Sequence, residues 1–264
     1  MTMFQALTLG IVQGITEFLP ISSSGFLILV PEALGWPVQD LAFDAFMHLA
    51  TLTAVIVALW SEVAAIVGAF RAPRQEGSGR WRRLGVWIVL STIPVLVIGY
   101  ALKDVIEGPL RSTEVVAWSF IIWGTVLYLA DRRAKRPKDA VTSVSPKQMF
   151  LVGLSQAIAL IPGTSRSGIT ITSGLFLGLS RETAARFSFL LALPATAAAG
   201  LYKLLAILDG SVVIAIQPLV VGFLAAFFTA LLTIKLLLAF LKRYSFSEVA
   251  VFRVLVGFLI LLLG

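Results

Sequence analysis

Long apolar stretches with few charges constrain this chain more than any other feature. A segment needs about 20 apolar residues to cross a hydrocarbon core of roughly 30 Å. Of the 264 residues, 58% are apolar and 13% are charged, which is about half the charged share of soluble domains. The sequence therefore predicts an all-α, polytopic membrane protein with about six transmembrane helices. By residue number, the predicted spans are 41–70, 84–102, 115–130, 183–208, 218–241 and 248–264.

Two further apolar segments, residues 3–34 and 148–179, are each broken midway by proline, glycine and serine. Each predicts a re-entrant helical hairpin, in which two short helices enter the membrane and return. The segments share an order of small and polar residues, with Gly10-Ile-Val-Gln13, Pro20 and Gly25 in the first and Gly153-Leu-Ser-Gln156, Pro162 and Gly168 in the second.

Three predicted spans follow each hairpin. An odd number of spans reverses the second copy, so we predict an inverted-topology repeat within a single transmembrane domain, residues 1–264. Its halves are about 1–130 and 147–264. The two hairpin loops of such a repeat meet near the membrane middle, where we expect a functional site.

The distribution of basic residues predicts the orientation. Residues 1–70 contain no Lys or Arg, whereas residues 71–83 and 131–147 are rich in both. Because Lys and Arg beside spans are retained on the cytoplasmic side, both basic loops are expected there and both termini outside. The same rule accounts for the net charge of +7, so nucleic acid is not expected as a partner.

The residue inventory excludes several kinds of site. The chain has no cysteine, which excludes thiolate nucleophiles, cysteine-bound zinc and iron–sulfur clusters. Its one histidine, His48, excludes a multi-histidine metal centre. We interpret His48 as a packing or interface residue rather than a catalyst. Lys235 and Arg253 are expected to extend to the cytoplasmic surface from the ends of their spans.

The first hairpin loop carries a carboxylate. Gln13 and Glu17 are four residues apart, so they lie on one helix face. A charge at the centre of a span costs roughly 2.5 to 3.5 kcal/mol, so Glu17 requires a partner. Three serines follow it, Ser22, Ser23 and Ser24. The alternatives, a purely structural acid and serines that only cap a helix, stay open.

The second hairpin loop carries the expected partner. The planar guanidinium of Arg166 suits two oxygens of a phosphate or carboxylate at once. A helix beginning after Gly168 would direct its positive end at the same place. Hydroxyls and flexible glycines surround Arg166, namely Thr164, Ser165, Ser167, Thr170, Gly163 and Gly168. We predict an oxyanion-binding site; the alternative is an Arg166 that extends to the cytoplasmic surface.

The two loops together resemble the undecaprenyl pyrophosphate phosphatases of the BacA type, a family named for bacitracin resistance. The resemblance covers essentially the whole chain. One position departs from it, because the family commonly has a histidine directly after the first-loop glycine, where this chain has Phe26. The matching motifs are Gln13-x-x-x-Glu17, Phe18-Leu-Pro-x-Ser-Ser-x-Gly25, Phe43-Asp-x-x-x-His48-Leu, and Pro162-Gly-Thr-Ser-Arg-Ser-Gly168 with Thr170.

This resemblance implies a phosphatase of the bacterial cytoplasmic (inner) membrane. Its substrate is a polyprenyl diphosphate with 55 carbons, its active site opens to the periplasmic face, and its product is the lipid carrier of peptidoglycan synthesis. It implies catalytic roles for Glu17, Ser23 and Arg166, with a divalent cation, Mg²⁺ or Ca²⁺, on Glu17. Together with the residue pattern of the two loops, it predicts a set of substrate-binding residues, namely Gln13, Ser22, Ser24, Gly163, Thr164, Ser165, Ser167, Gly168 and Thr170.

Some alternatives remain at this point. The nucleophile is either Ser23 or a water activated by Glu17. A polyprenyl-phosphate flippase or secondary transporter is the rival function, because broken hairpins in an inverted repeat are typical of transporters. Type 2 phosphatidic acid phosphatases are excluded, since they need two histidines. The expected partners are the polyprenyl diphosphate and membrane lipids, and association into a homodimer stays open.

Overall fold

The computed structural model describes residues 1–110, 112–134, 139–208 and 215–263. The predicted outer turn near Asp209, and Arg111 and residues 135–138 of the charged loops, lie outside this part. The described residues form α-helices and short 3-10 turns, without a strand. The helices are α1 (Met3–Thr16), α2 (Ser23–Ala33), α3 (Leu41–Ala58), α4 (Trp60–Arg71), α5 (Ser78–Ala101), α6 (Lys103–Glu107), α7 (Thr113–Arg133), α8 (Pro146–Ser155), α9 (Arg166–Phe176), α10 (Arg181–Leu208), α11 (Ile216–Phe240) and α12 (Ser247–Leu263).

The all-helical prediction is confirmed. Within the described ranges, α5, α7 and α11 are each long and apolar enough to cross a membrane. A fourth span results if α3 and α4 are counted together, although they are bent by 80°. The count of six spans therefore stays a prediction.

Residues 41–70, predicted as one span, form two helices, α3 and α4, that meet at this bend. The helix breaks at Leu59, whose φ of −110° and ψ of 34° are not helical. After the break, Glu62 in the first turn of α4 forms an ion pair with Arg186 of α10. A buried carboxylate requires such a partner. An ion pair therefore lies next to the bend. The apolar composition of residues 41–70 did not indicate this pair.

Both hairpins begin with the same local signal. Thr2 caps α1 and Ser145 caps α8, and each accepts a hydrogen bond from the backbone N–H three residues later. In return, the side chains of Gln5 and Gln148 accept a hydrogen bond from the backbone N–H of the capping residue. This capping box satisfies two backbone donors at each helix start, so both hairpins enter with defined geometry.

The helix contacts are paired between the two halves. Helix α1 packs on α11 and α8 packs on α5; α3 packs on α11 and α10 packs on α5. Helices α3 and α10 pack on each other, and so do α7 and α12. Exchanging α1 with α8, α3 with α10, α5 with α11 and α7 with α12 leaves this set of contacts unchanged. The predicted repeat thus has a counterpart in the packing, and its reversal across a membrane stays a prediction.

Small residues make the hairpin packing possible. A Cβ atom on Gly14 would overlap Thr229 of α11, and a Cβ on Gly10 would overlap Gly222 of the same helix. In the second half, a Cβ on Gly153 would overlap Ser91 of α5. Each hairpin therefore lies directly against the backbone of its partner helix, which fixes the position of the loop that follows.

Candidate active site

The turns that begin α2 and α9 adopt the same conformation. Ser22 and Ser165 have φ values of 77° and 73°, in the left-handed region that residues other than glycine rarely adopt. The Oγ of Ser22 accepts from the N–H of Gly25 at 3.4 Å, and the Oγ of Ser165 accepts from that of Gly168 at 3.0 Å. Strained backbone of this kind is found mostly at functional sites. Helix α9 begins at Arg166, earlier than predicted, so Arg166 is its first residue.

Each turn presents backbone donors. In the part of the chain that the structure describes, the backbone N–H groups of Ser23, Ser24, Arg166 and Ser167 have no hydrogen-bond acceptor. These are the first two residues of α2 and of α9. Free N–H groups at a helix start attract anions through their dipoles. The two turns therefore offer donors to a bound oxyanion.

One carboxylate joins the two turns. Glu17 Oε1 accepts a hydrogen bond from Arg166 Nη2 at 2.7 Å. Glu17 Oε2 accepts one from Ser23 Oγ at 2.6 Å and one from Gln13 Nε2 at 2.9 Å. The side chain of Glu17 is 6% exposed and that of Arg166 is 18% exposed. Arg166 is therefore the partner that the buried carboxylate requires.

His48 of α3 also reaches this carboxylate. Its Nε2 lies 3.4 Å from Glu17 Oε2, and its Nδ1 lies 2.7 Å from the backbone oxygen of Asp44. Because a carbonyl oxygen only accepts, Nδ1 carries a hydrogen and Nε2 faces the carboxylate. The sequence interpretation of His48 as a packing residue missed this contact. The sequence feature that could have indicated it is the pair Asp44 and His48, four residues apart in an otherwise uncharged stretch.

A cavity of about 760 Å³ contains these groups. Its polar side is lined by Glu17, Ser22, Ser23, Ser24, Asp44, His48, Gln156, Ser165 and Arg166. Its apolar side is lined by Val95, Leu96 and Gly99 of α5, by Ala159 and Leu160, and by Ala195 and Ala198 of α10. Tyr100, Lys103 and Asp104 lie beside the apolar side, at the C-terminal end of α5. The cavity thus combines polar groups that suit an anion with an apolar lining.

The other residues predicted for the second loop do not line this cavity. Ser167 Oγ donates to the backbone oxygens of Glu17 and Leu19, at 3.1 and 3.3 Å, and so ties the two turns together. Thr170 Oγ1 bonds the backbone oxygen of Arg166 and the hydroxyl of Ser188. Thr164 is buried, and its hydroxyl has no partner among the described atoms.

The two loop glycines pack behind the turn. A Cβ on Gly163 would lie 2.8 Å from the backbone of Val116 in α7. A Cβ on Gly168 would lie 2.9 Å from Nη1 of Arg253. These glycines, like Thr164, Ser167 and Thr170, support the anion-binding turn without lining the cavity. Their contact with substrate stays a prediction.

Phe26 does not line the cavity either. Its ring is parallel to that of Phe252, with centroids 6.4 Å apart, and lies 5.7 Å from the ring of Phe120. The residue after the first-loop glycine therefore packs toward α7 and α12 in this chain.

Arg253 corrects another prediction. The sequence predicted a side chain that extends to the membrane surface, whereas Arg253 is fully buried. Its guanidinium donates to backbone oxygens of both turns, including Pro20 and Gly163, each at 2.9 Å. Carbonyl oxygens without a hydrogen bond from their own helices provide an interior site for this charge. Lys235 is exposed.

Comparison with known proteins identifies the family of this chain. Residues 6–259 match the model of a family described as bacitracin resistance protein BacA. The chain belongs to the BacA family. A relative named undecaprenyl-diphosphatase 1, from Pseudoalteromonas translucida, is 42% identical over 97% of both chains. Undecaprenyl-diphosphatases from Chromohalobacter salexigens and Chlorobium phaeovibrioides are each 43% identical, over 99% and 100% of this chain and 98% and 97% of theirs.

This BacA-family chain has a second, larger cavity of about 1120 Å³ near residues 61–62 and 241–244. Two of its arginines are already neutralised, because Arg186 pairs with Glu62 and Glu182, and Arg181 pairs with Asp131. Lys242 and Arg243 also line it. Arg166 is also paired with a carboxylate, that of Glu17, but its Nη1 is buried and keeps a donor without a partner among the described residues. The cavity at the two turns is therefore the better oxyanion site.

The BacA-family site offers few oxygen ligands for a divalent cation. No group of three or more His, Cys, Asp or Glu residues that could hold a metal occurs in the described ranges. However, Mg²⁺ commonly takes only one or two carboxylates and completes its shell with waters and phosphate oxygens. The amide of Gln13 bonds Glu17 through Nε2, and its Oε1 is buried without a partner in the described part. One carboxylate and one amide oxygen fit such an ion.

Proposed function

We propose that this chain hydrolyses undecaprenyl diphosphate to undecaprenyl phosphate and inorganic phosphate. One observation carries the proposal: Glu17 binds the proposed nucleophile Ser23 and the cation Arg166 at the same time, between two helix N-termini. The names of the relatives support the same substrate and do not favour the rival transport function.

The terminal phosphate is bound by the two turns. Arg166 contributes its unpartnered Nη1, and the free N–H groups of Ser23, Ser24 and Arg166 contribute neutral donors. Charge-assisted hydrogen bonds from a guanidinium are about twice as strong as neutral ones. Phosphoryl transfer depends mainly on such positioning and charge neutralisation.

Ser23 is the proposed nucleophile. Its Oγ attacks the terminal phosphorus while its proton passes to Glu17 Oε2, 2.6 Å away. The bond between the terminal phosphorus and the bridging oxygen breaks, and undecaprenyl phosphate leaves with the bonding electrons. A water then hydrolyses the phosphoserine, and the proton on Glu17 returns to Ser23. The alternative, direct attack by a water that Glu17 activates, uses the same carboxylate.

A divalent cation, Mg²⁺ or Ca²⁺, is part of the proposal. Glu17 and the amide oxygen of Gln13 would hold it, as hard oxygen ligands that these ions prefer. When bound, the ion neutralises negative charge on the diphosphate. A protonated His48 would donate from Nε2 to Oε2 of Glu17 and help to orient the carboxylate.

The geometry of α5 supports an active site that opens to the periplasmic face of the inner membrane. This helix begins within residues 71–83, the basic segment predicted to be cytoplasmic. The cavity residues Tyr100 and Lys103 lie at its other end. A phosphatase so oriented regenerates the lipid carrier of peptidoglycan synthesis on the outer side, which connects it to cell wall formation, cell shape and bacitracin resistance.

The apolar side of the cavity accommodates the start of the prenyl chain. Gly99 of α5 and Ala195 of α10 leave space between their helices, next to the anion-binding turns. A chain of 55 carbons is far longer than this cavity, so most of it remains among membrane lipids.

Phosphate release by the purified protein in detergent tests the proposal. Undecaprenyl diphosphate is the substrate, with and without a chelator of divalent cations. We expect turnover by the native chain and by Arg181→Lys, whose arginine lies outside the active cavity. Arg166→Ala should be inactive. Full activity of Arg166→Ala, or no phosphate release by the native chain, would contradict the proposal.

A further inference from the structure

Arg253 of α12 is a buried charge that the proposed chemistry does not use. It is 0% exposed. Nη1 donates to Pro20 O at 2.9 Å, and Nη2 donates to Gly163 O and Thr164 O, each at 2.9 Å, and more weakly to Ser119 O at 3.4 Å. Nε has no partner in the described part of the chain.

This charge has no carboxylate partner among the described residues. Carbonyl dipoles surround it, and the Phe120 ring centroid lies 5.5 Å from its Cζ. A charge inside a membrane is costly and by default has a function. An apolar residue at this helix position would avoid that cost, so helix packing alone does not explain an arginine here.

The acceptors of Arg253 occupy matching places in the two turns. Pro20 lies two residues before the left-handed Ser22, and Gly163 lies two residues before the left-handed Ser165. The two ends of one planar guanidinium therefore hold equivalent carbonyl groups, one from each half. No other side chain in the described ranges bonds the backbone of both turns in this way.

We propose that Arg253 is a positioning residue that fixes the spacing and orientation of the two turns. By drawing the carbonyl oxygens of Pro20 and Gly163 toward α12, it keeps these negative dipoles away from the anion site. The N–H groups at the starts of α2 and α9 then face the cavity, with Ser23 and Arg166 on the same carboxylate. The proposal depends on the proposed function only where it is tested by kcat, since kcat is measured on undecaprenyl diphosphate.

The planar fork matters as well as the charge. A lysine carries the charge at one point and cannot hold acceptors on two sides in a fixed geometry. A glutamine is planar and neutral and can reach only one turn. Arg253→Lys therefore keeps the charge and removes the bridge between the two turns, whereas Arg253→Gln removes both.

The matched control is Arg181→Lys. Arg181 is also largely buried, and it donates to the side chain and backbone oxygen of Asp131, outside the active cavity. We expect Arg253→Lys to lower kcat about 100-fold, the loss caused by a misplacement of about 1 Å, with KM nearly unchanged. Arg181→Lys should keep the native kcat even where it lowers the melting temperature.

A binding measurement separates this proposal from the proposed function. Inorganic phosphate should raise the melting temperature of the native chain and of Arg181→Lys, but not that of Arg253→Gln. If the native chain binds phosphate but hydrolyses no undecaprenyl diphosphate, the proposed function is wrong. The positioning role of Arg253 can still be tested by phosphate binding. Native kcat in Arg253→Lys, a kcat loss in Arg181→Lys of the same size, or failure of both Arg253 variants to fold would overturn the positioning role.

Discussion

Ser23 and Arg166 occupy the same position in the two halves of the chain, and they bind opposite oxygens of the Glu17 carboxylate. Each is the first helical residue after a serine with positive φ. Ser23 Oγ lies 2.6 Å from Oε2 and Arg166 Nη2 lies 2.7 Å from Oε1. One backbone geometry thus presents the proposed nucleophile in one half and the phosphate-binding cation in the other.

Replacing Arg166 by lysine should reduce kcat about 100- to 1000-fold, because the charge remains but the planar fork that donates to Glu17 on one side and to the phosphate on the other is lost. Phosphate release from undecaprenyl diphosphate measures this effect. The control is Arg181→Lys, which should retain native turnover. An Arg166→Lys variant as fast as the native chain would show that the fork of the guanidinium is not used.

Native protein quenched in acid during turnover should contain phosphoserine at position 23, because Ser23 Oγ already donates its hydrogen to a carboxylate. Mass spectrometry of the peptide detects it, and Ser23→Ala should abolish both the signal and turnover. Ser155→Ala, whose hydroxyl bonds only the backbone of Val152, is the control. Active Ser23→Ala without any phosphopeptide would favour the water route.

Substitutions of Ser165 should reveal the strain in its turn. Ser165→Ala and Ser165→Gly both lose the hydrogen bond to Gly168, but only glycine adopts a φ of 73° without strain. We expect the glycine variant to be more stable than the alanine variant by about 1 kcal/mol or more. Thermal unfolding in detergent measures the difference. Equal stabilities would mean that the backbone relaxes out of this conformation.

The hairpin loops were predictable because their residues are unusual for a membrane helix. Proline, glycine and serine marked the breaks, and Glu17 and Arg166 could not remain unpaired in an apolar setting. Arg253 and His48 were not predictable by this reasoning, since each lies within a regular helix. Helical periodicity alone does not tell whether such a side chain turns toward the interior or the surface. The bend at Leu59 was hidden because both helices beside it are apolar.

Gly14→Ala should lower both stability and turnover. A methyl group there would overlap Thr229 Oγ1 and the backbone of Ala226, which would push α1, and with it Gln13 and Glu17, away from α11. Overpacking of this kind costs about 1 to 3 kcal/mol. Gly68→Ala in α4 is the control, because no atom lies within 4 Å of its Cβ, and it should be neutral or slightly stabilising. Equal behaviour of the two variants would contradict the close packing.

Gly99→Phe should discriminate between substrates by chain length. The phenyl ring would enter the apolar part of the cavity. We therefore expect kcat/KM to fall for undecaprenyl diphosphate and to remain unchanged for isopentenyl diphosphate, which has only five carbons. Val97→Phe, on the exposed side of α5, is the control. An equal loss for both substrates would place the prenyl chain elsewhere.

The shared conformation of the turns at Ser22 and Ser165 has a consequence for how such a site can arise. Two identical separate subunits would present the same side chain at both turns, and two facing guanidinium groups would repel each other. A single polypeptide that contains both halves is free of this restriction. Covalent fusion therefore allows an asymmetric reaction centre, with unlike groups on either side of one acid, to be built on a symmetric backbone.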